Sequence, residues 1–415
     1  MGNTENKVMK DDNAIHDWYR FVLSFPPHLV RQYIKDFGAD KSSYVLDPFC
    51  GTGTTNVECK KNRIASLGIE ASPITHFASK VKCSWITPSE KMLLDAQIIA
   101  DEAREQLTLS GPMLTLPDSE TQLLLKNSIS DKPLNDAIIL RDAINSSKSQ
   151  YKDYFLLAFA KHLVQSYSNL KFGPEVGISR RKKTDVDVVG IWLSQVQQMI
   201  GDLEEFSDRS QVESTIVLSD SRMECLDCYN GKVDCVITSP PYPNEKDYSR
   251  TTRLEAVMLG FIKSKEELRN TKKSFIRSNT KNVYKNDTDE RFVERIKSIN
   301  ELSQAIEERR LDLNKTSGFE KLYSRVVKLY FGGMARHLES IKPLLKDGAH
   351  LAYVVGDQAS YFQIPIRTSF LLGEVAESLG GYKVERIDTF RKRYATATGI
   401  WLNEDVLILS YERER

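Results

Sequence analysis

The stretch that decides the fold is residues 43–70, SYVLDPFCGTGTTNVECKKNRIASLGIE. Its beginning predicts a short buried strand that runs into a glycine turn at residues 49–53, and residues 54–62 predict a helix. Residues 65–70 predict a second strand, which a helix at about 73–83 follows. Strand, glycine turn, helix and strand in this order form a βαβ unit, which is typical of a parallel α/β sheet.

The same alternation returns in the second half of the chain, and two long stretches interrupt it. Strands are predicted at residues 214–218, 233–238, 349–355, 384–389 and 406–410, and helices at 323–342 and 369–379. The fold class predicted is α/β, a Rossmann-like, doubly wound sheet with two largely helical insertions. The predicted division is core at 1–84, first insertion at 85–210, core at 211–250, second insertion at 251–319 and core at 320–415.

Bulk composition is that of an ordinary globular protein. The 415 residues, of which 40% are hydrophobic and 28% charged, suffice for a core domain with inserted modules. No apolar run approaches the roughly 20 residues that span a bilayer, and the polar start lacks a signal core, so a cytoplasmic location is expected. Because the net charge is only +1, attraction for nucleic acid must come from local patches.

The cysteines do not form a metal-ligand pattern. Cys225 and Cys228 are spaced as C-x-x-C, but no second pair accompanies them, and zinc needs about four ligands. We therefore expect no metal site, and thiols that are free or buried and kept reduced.

The glycine turn is a candidate cofactor site. Gly51 and Gly53 would let the backbone approach a ligand, although a lone G-x-G also fits an ordinary tight turn. Glu70 stands at the end of the second strand, where a carboxylate can accept both hydroxyls of a ribose. The combination predicts ribose binding more strongly than pyrophosphate binding.

A second motif occupies residues 233–242, VDCVITSPPY. Its two prolines remove backbone donors and fix an extended turn at the carboxyl edge of the sheet, where open α/β sheets bind ligands. The hydroxyl of Ser239 and the carbonyl of Pro240 can each accept a hydrogen of an exocyclic amine. The ring of Tyr242 can stack on a base, which contributes about 1–3 kcal/mol. The alternative is a purely structural Pro-Pro turn.

Together the two motifs resemble the signatures of the S-adenosyl-L-methionine-dependent amino-methyltransferases of nucleic-acid bases. DPFCGTGTT (47–55) is similar to the cofactor signature, and TSPPY (238–242) is similar to the catalytic signature. The resemblance implies a seven-stranded sheet with an antiparallel final strand. It covers roughly residues 16–84, 214–250 and 320–411, and it leaves the insertions unexplained.

The resemblance also implies the roles of individual residues in cofactor binding. Asp47 would face the amino acid part of the cofactor, Glu70 would hold its ribose, and Asp220 would lie near its adenine. The upstream stretch SFPPHLV (24–30) looks like the element that covers the methionine end. The implied cofactor-binding residues are Asp47, Pro48, Phe49, Gly51, Gly53, Thr54, Glu70, Asp220 and Pro27.

The implied reaction is direct in-line methyl transfer to a base that has been turned out of the DNA duplex. The catalytic residues would be Ser239, Pro240, Pro241 and Tyr242. The serine form of the signature is found mainly in cytosine-N4 enzymes, whereas aspartate or asparagine suggests adenine N6. None of the cysteines follows a proline, so no nucleophile for cytosine-C5 chemistry is present.

The strongest local patch for DNA lies in the second insertion. Between Lys263 and Lys297 there are eleven Lys or Arg against six Asp or Glu, with Phe275, Tyr284 and Phe292 interleaved. This segment predicts either a DNA clamp or a solvated helical face. The basic residues 180–183 are a weaker candidate for phosphate contact. The candidate substrate-binding residues are Asp247, Tyr248, Arg250, Lys272, Lys273 and Arg277, of which the first three could instead pair with one another.

Two alternatives to a DNA methyltransferase stay open. An RNA base methyltransferase uses a related motif, but typically carries Asp before the prolines and an additional amino-terminal domain. A non-catalytic DNA-binding subunit would keep the fold without needing Glu70, Ser239 and Tyr242. The resemblance also leaves open the recognition sequence and whether a cognate restriction endonuclease is a partner.

Overall fold

The computed structural model describes residues 12–20, 24–88, 90–172, 176–223, 226–395 and 398–413. The strands in these residues are β1 (Tyr44–Asp47), β2 (Ala65–Glu70), β3 (Leu170–Phe172), β4 (Val176–Ile178), β5 (Ser214–Leu218), β6 (Val233–Thr238), β7 (Leu345–Gly356), β8 (Tyr382–Ala395) and β9 (Ile400–Tyr411). The α-helices are α1 (Pro27–Asp36), α2 (Thr54–Lys61), α3 (Pro73–Cys83), α4 (Glu90–Thr108), α5 (Asp118–Thr121), α6 (Asp131–Ser146), α7 (Lys152–His162), α8 (Val188–Glu205), α9 (Tyr248–Thr251), α10 (Arg253–Met258), α11 (Lys265–Lys273), α12 (Lys297–Asp312), α13 (Tyr323–Ile341) and α14 (Thr368–Ser378).

Seven of the described strands form one sheet, in the order β5-β2-β1-β6-β7-β9-β8. The strands from β5 to β7 run parallel, and β9 runs antiparallel to both of its neighbours, β7 and β8. The short strands β3 and β4 form a separate antiparallel pair. The predicted mostly parallel α/β sheet of seven strands, with an antiparallel final strand, is therefore confirmed.

The centre of the sheet explains why sequence patterns located it. Val45 and Leu46 of β1, and Val236 and Ile237 of β6, are fully buried. Because helices cover both faces of such a sheet, its central strands are continuous apolar runs rather than alternating ones. The chain order reverses between β1 and β6, which are neighbours here. Open α/β sheets bind ligands at the carboxyl ends of the strands beside such a reversal.

The first insertion shares a large apolar core with neighbouring parts of the chain. Helices α4, α6, α7 and α8 contribute to one cluster, in which Phe155, Phe159 and Trp192 are fully buried. Burying each side chain of this size contributes about 1.5–3 kcal/mol. The cluster continues into Ile74 and Ala78 of α3, so this insertion packs against the helix that follows β2. None of the helices in the described residues is long and apolar enough to cross a membrane.

The second insertion is helical only in part. Between α11 and α12, residues 274–296 form loops and short 3₁₀ turns. Asp289 anchors this segment, because its carboxylate accepts hydrogen bonds from Arg222 at 2.7 Å and from Arg336 at 2.6 Å. The backbone of Asp289 also lies against α13 at Gly332, where a Cβ would come within 1.9 Å of the Asp289 carbonyl oxygen. Buried ion pairs and a glycine contact hold this loop, and neither produces a helical periodicity.

The last two strands are longer than the apolar pattern predicts. Expected at 384–389 and 406–410, they extend over Tyr382–Ala395 and Ile400–Tyr411. Many of their additional residues are polar or aromatic, and those between Arg391 and Glu404 continue past the end of β7, whose last paired residue is Gly356. The extension forms a β-hairpin beside the carboxyl edge of the sheet.

Candidate active site

A cavity of about 730 Å³ opens at the carboxyl edge of the sheet. Its wall includes Gly51 from the turn after β1, Glu70 from the end of β2, and Ser239 and Tyr242 from the turn after β6. The two sequence motifs, which lie far apart along the chain, therefore share one cavity. A direct contact joins them, because the Thr238 hydroxyl donates a hydrogen bond of 2.6 Å to the Asp47 carboxylate.

The two glycines of the first turn serve different purposes. Both adopt positive φ angles, 53° at Gly51 and 80° at Gly53, a conformation that L side chains rarely adopt. Gly51 lines the cavity. Gly53 lies against α3, where an added Cβ would be 3.1 Å from the Cβ of Ser79. The other predicted residues of this turn that line the cavity are Pro48, Phe49 and Thr54.

The carboxylate of Glu70 lines the cavity and is fixed by three hydrogen bonds. It accepts hydrogen bonds of 2.8 Å each from the backbone of Gly51, the backbone of Ser72 and the hydroxyl of Thr75. Burial raises the pKa of Glu70 to about 7, despite these three donors. The carboxylate is thus fixed in place, and its charge is sensitive to pH near neutrality.

Asp47 lies directly before the wall residues Pro48 and Phe49. Its Oδ1 accepts hydrogen bonds from the backbone of Phe49 and the hydroxyl of Thr238. Its Oδ2 is buried and has no hydrogen-bond partner among the described residues. Burial raises the pKa of Asp47 to about 6. A buried carboxylate oxygen without a donor is costly, and a cationic donor would satisfy it.

Ser239 begins the second turn with its hydroxyl already oriented. The hydroxyl donates a hydrogen bond of 3.1 Å to the carbonyl of Val354 in β7. Because a hydroxyl has one hydrogen and two lone pairs, this contact leaves its oxygen able to accept from a ligand. Pro240 and Pro241 follow on the cavity wall, and neither carries a backbone N–H that could compete for the same acceptors.

The ring of Tyr242 fits against a glycine of the neighbouring strand. A Cβ at Gly356 would lie 3.1 Å from the edge of that ring. The backbone N–H of Tyr242 donates to the hydroxyl of Tyr248 at 3.2 Å. Burial raises the pKa of Tyr242, so its phenol is neutral at physiological pH. The ring is thus a fixed, uncharged wall of the cavity.

Comparison with known proteins agrees with this geometry. The DNA methylase family model (N6_N4_Mtase) matches residues 3–78. The type II methyltransferase M.BsoBI of Geobacillus stearothermophilus is 25% identical over 92% of this chain and 81% of its own length. The type II methyltransferase M.AvaI of Anabaena variabilis is 25% identical over 89% of this chain and 79% of its own length.

These matches support the amino-methyltransferase family for this chain. A shorter match, 34% identical over 83 residues, exists to the type II methyltransferase M.MjaII of Methanocaldococcus jannaschii. The alignment with M.BsoBI covers 92% of the chain and therefore includes most of both insertions. The similarity to M.BsoBI therefore extends beyond the sheet and its motifs.

The second insertion of the methyltransferase holds the loop that follows Tyr242. Glu245, which has a positive φ of 63°, accepts hydrogen bonds of 2.9 Å from both the backbone and the hydroxyl of Thr280. The side chain of Asn279 donates to the carbonyl of Lys246 at 2.9 Å. Because a non-glycine residue at positive φ is strained, these contacts are what keep the loop in this conformation.

Asp220 and Pro27, like Asp47 and Gly53, lie beside the cavity rather than on its wall. Asp220 is flanked by the wall residues Ser219 and Ser221, but its carboxylate pairs with Arg222 at 2.6 Å. Pro27 begins α1, and the preceding residue Pro26 lines the cavity instead. For both residues the cofactor role stays a prediction.

Of the predicted substrate-binding residues, Tyr248 lines the cavity and the rest lie outside its wall. Lys272 is buried and pairs with Asp247 at 2.6 Å, so these two residues satisfy each other. Arg277 is also buried and pairs with Asp287 at 2.8 Å. The remaining two are Arg250, which is half-buried, and Lys273, which is exposed. Some of the Lys and Arg residues whose excess predicts a DNA clamp are therefore engaged in ion pairs within the protein.

Several wall residues were not predicted as site residues. Phe275 comes from the interleaved aromatics of the second insertion and lines the cavity, whereas Phe292 is exposed and Tyr284 lies under Arg277 at 5.2 Å. Arg393 reaches the wall from β8. Gly356, against which the ring of Tyr242 packs, is the sequence feature that could have indicated this region. A glycine inside a strand often marks the close approach of another group.

The cysteines have no part in this site beyond packing. Cys50 lines the cavity, and burial raises the pKa of its thiol. Within the described residues no group of three His, Cys, Asp or Glu could hold a metal ion. Cys225, one half of the C-x-x-C pair, lies outside the described residues.

Proposed function

We propose that this methyltransferase transfers a methyl group from S-adenosyl-L-methionine to the exocyclic N4 of cytosine in duplex DNA. The observation that carries the proposal is the shared cavity, whose wall contains both Glu70 and Ser239. Its volume of about 730 Å³ lies within the range of roughly 300–1,000 Å³ that is usual for ligand sites. The cofactor and an extruded base would meet there without a protein nucleophile between them.

The residues on the glycine side fit S-adenosyl-L-methionine. The Glu70 carboxylate lines the cavity and can accept the two ribose hydroxyls, while the carboxylate of Asp47, buried directly before the wall residues Pro48 and Phe49, favours the cationic methionine part electrostatically. Gly51 leaves room for close approach, and Phe25 and Pro26 also line the cavity. When bound, the cofactor supplies a methyl carbon made electrophilic by its sulfonium.

On the catalytic side, the residues hold the amine by accepting hydrogen bonds from it. The Ser239 oxygen and the Pro240 carbonyl accept one amine hydrogen each, which draws the nitrogen lone pair away from the base ring. The ring of Tyr242 stacks on the base, and its packing against Gly356 fixes the stacking plane. The serine in TSPPY supports cytosine N4 as the target, since aspartate or asparagine there would favour adenine N6.

DNA delivers the base after it has been turned out of the duplex, at a cost of a few kcal/mol. With Lys272 and Arg277 engaged in internal ion pairs, we propose that the exposed Lys273 and the largely exposed residues 180–183 provide the phosphate contacts. The names of the type II relatives also support a cognate restriction endonuclease as a partner in the cell.

The test is transfer of tritiated methyl from S-adenosyl-L-methionine to duplex DNA and, in parallel, to RNA. We expect label in DNA only. Ser239→Ala and Tyr242→Ala should each lower kcat about 10²–10³-fold, the usual cost of removing one oriented group from a transition-state site. Cofactor affinity, measured by calorimetry, should stay within about twofold.

The matched control is Ser119→Ala, an exposed serine in the first insertion, which should transfer methyl at the wild-type rate. Label in RNA alone, or full activity of the Ser239→Ala enzyme, would contradict the proposal.

A further inference from the structure

The β8–β9 hairpin has a free end beyond its ladder with β7. That ladder stops at Gly356 and Glu404, whereas the pairing between β8 and β9 continues to Ala395 and Ile400. Two further hydrogen bonds hold the base of this end: Asp357 N–H donates to the Asn403 carbonyl at 2.8 Å, and Arg393 donates to the Asp357 carbonyl at 3.0 Å. The register in this free end joins Arg393 to Leu402 and Tyr394 to Trp401. At about 3.3 Å per residue, Trp401 lies about 10 Å beyond Glu404 along the strand.

The two faces of this free end differ in chemistry. Arg393, Leu402 and Glu404 line the active-site cavity. Neighbouring residues of a strand point to opposite faces, so Tyr394 and Trp401 project away from the cavity. They are 52% and 63% exposed, and their rings contact edge to face at 5.3 Å. The hairpin is therefore a two-stranded ribbon with the cavity on one side and an exposed aromatic pair on the other.

The exposure of this pair is unusual within the chain. The other three of the four tryptophans, Trp18, Trp85 and Trp192, are buried. Beside the pair, Lys392 is also exposed, and it follows a bulge after Thr389 that adds a residue to β8. Two large rings next to a cation, on a projecting hairpin, match the stacking and charge chemistry of nucleic-acid bases and phosphates.

We propose that Tyr394 and Trp401 stack on the DNA base left beside the extruded nucleotide, so that the hairpin separates that nucleotide from the duplex. The inference rests on the proposed function, because it takes the cavity as the destination of the extruded base. A nucleotide held in the cavity and the base stack of the duplex that it left would lie on opposite sides of the β8–β9 hairpin. Lys392 adds a phosphate contact on the side of the stack.

The direct test uses the fluorescence of Trp401. Adding duplex DNA should protect wild-type tryptophan emission from acrylamide, because Trp401 is the exposed tryptophan of the four. In Trp401→Phe the three buried tryptophans should show no such DNA-dependent change. Protection that instead grows with protein concentration in the absence of DNA would indicate contact between copies of the chain and would overturn the proposal.

The functional test compares substrates. The double variant Tyr394→Ala, Trp401→Ala should lose about 10- to 100-fold in kcat/KM on duplex DNA, as expected from lost base stacking. The loss should be smaller on DNA whose target base is mismatched, since that base is already unpaired. The single variant Trp401→Phe, which keeps an aromatic ring, should retain most of the wild-type rate. The control is Phe370→Ala, which removes a similarly exposed aromatic on α14 and should match wild type.

The outcomes separate the two proposals. If the wild type methylates DNA and the double variant is equally active on duplex DNA, the role of the hairpin is refuted while the proposed function stands. If the wild type methylates no DNA, the proposed function fails, and the acrylamide measurement alone decides whether the aromatic pair contacts DNA.

Discussion

The glycine side of the cavity is assembled from one continuous stretch, residues 47–75, whereas the catalytic side, residues 239–248, is held by distant segments. Glu70 contacts Gly51, Ser72 and Thr75, all within that first stretch. Ser239 is oriented by Val354, and Glu245 is held by Thr280 of the second insertion. The contacts that hold Glu70 are therefore local in sequence, whereas the loop that follows Tyr242 depends on the second insertion.

This difference gives the second insertion a structural role beyond DNA contact. Its cations Lys272 and Arg277 are spent on Asp247 and Asp287, and its Asp289 joins Arg222 to Arg336. The insertion therefore supports the loop that follows Tyr242, and damage to it should reach the catalytic side and spare the glycine side.

The largest effect is expected for Asp289→Asn. Removing this charge weakens two charge-assisted hydrogen bonds and leaves Arg222 paired with Asp220 alone, so the free energy of unfolding should fall by about 1.5–3 kcal/mol in denaturant titration. The control is Asp185→Asn, which breaks the exposed pair with Lys132 in the first insertion and should leave the free energy of unfolding nearly unchanged. Equal losses for the two variants would show that the Asp289 network is not a support.

Next in size is the loss of the loop contact in Glu245→Ala. The catalytic loop should shift, and kcat should fall about 10- to 100-fold, because small misplacements of reacting groups are costly. Glu245→Gln keeps an acceptor oxygen and should recover part of the rate, and the exposed Glu266→Ala should leave it unchanged. Cofactor affinity must stay constant throughout, and a parallel fall in affinity would mean that the two sides are not independent.

A smaller effect, on the glycine side, is a pH dependence of cofactor binding. The pKa of Glu70 in the free enzyme is raised to about 7 by burial, so below that pH the carboxyl is protonated and accepts ribose hydroxyls poorly. Cofactor affinity measured by calorimetry should rise as pH increases from 6 to 8, by up to about tenfold per unit below the pKa. Glu70→Gln should bind more weakly and lose this step, leaving at most the one that belongs to Asp47, whose pKa is about 6. An unchanged profile would contradict the ribose role.

The smallest effect is expected for Thr75→Val, which removes one of the three donors to Glu70. A hydrogen bond of this kind contributes about 0.5–1.5 kcal/mol. Because the lost donor stabilised the charged carboxylate, the pKa of Glu70 should rise further, and the pH step in cofactor binding should move upward. Movement of the step to lower pH would show that the contact has been assigned the wrong sign.

The sequence could predict the features of the site that depend on local patterns. The βαβ unit, Glu70 and the Ser239 turn are local patterns, whose apolar runs and turn residues carry their own signal. The support of Glu245 by Thr280, the fit of Gly356 to Tyr242 and the pairing of Lys272 with Asp247 join residues that only the fold brings together. A charge run cannot reveal which of its cations are already paired, so a DNA role for Lys272 or Arg277 could not be separated from an internal one.

The central claim is that one cavity aims an amine of DNA at the cofactor without a covalent enzyme intermediate. The most direct test is mass spectrometry of nucleosides from duplex DNA incubated with enzyme and deuterated-methyl S-adenosyl-L-methionine. We predict the label on N4 of cytosine, formed about 10²–10³-fold more slowly by Ser239→Ala. Label on adenine N6 would overturn the assignment of the base, and label on cytosine C5 would contradict the mechanism itself.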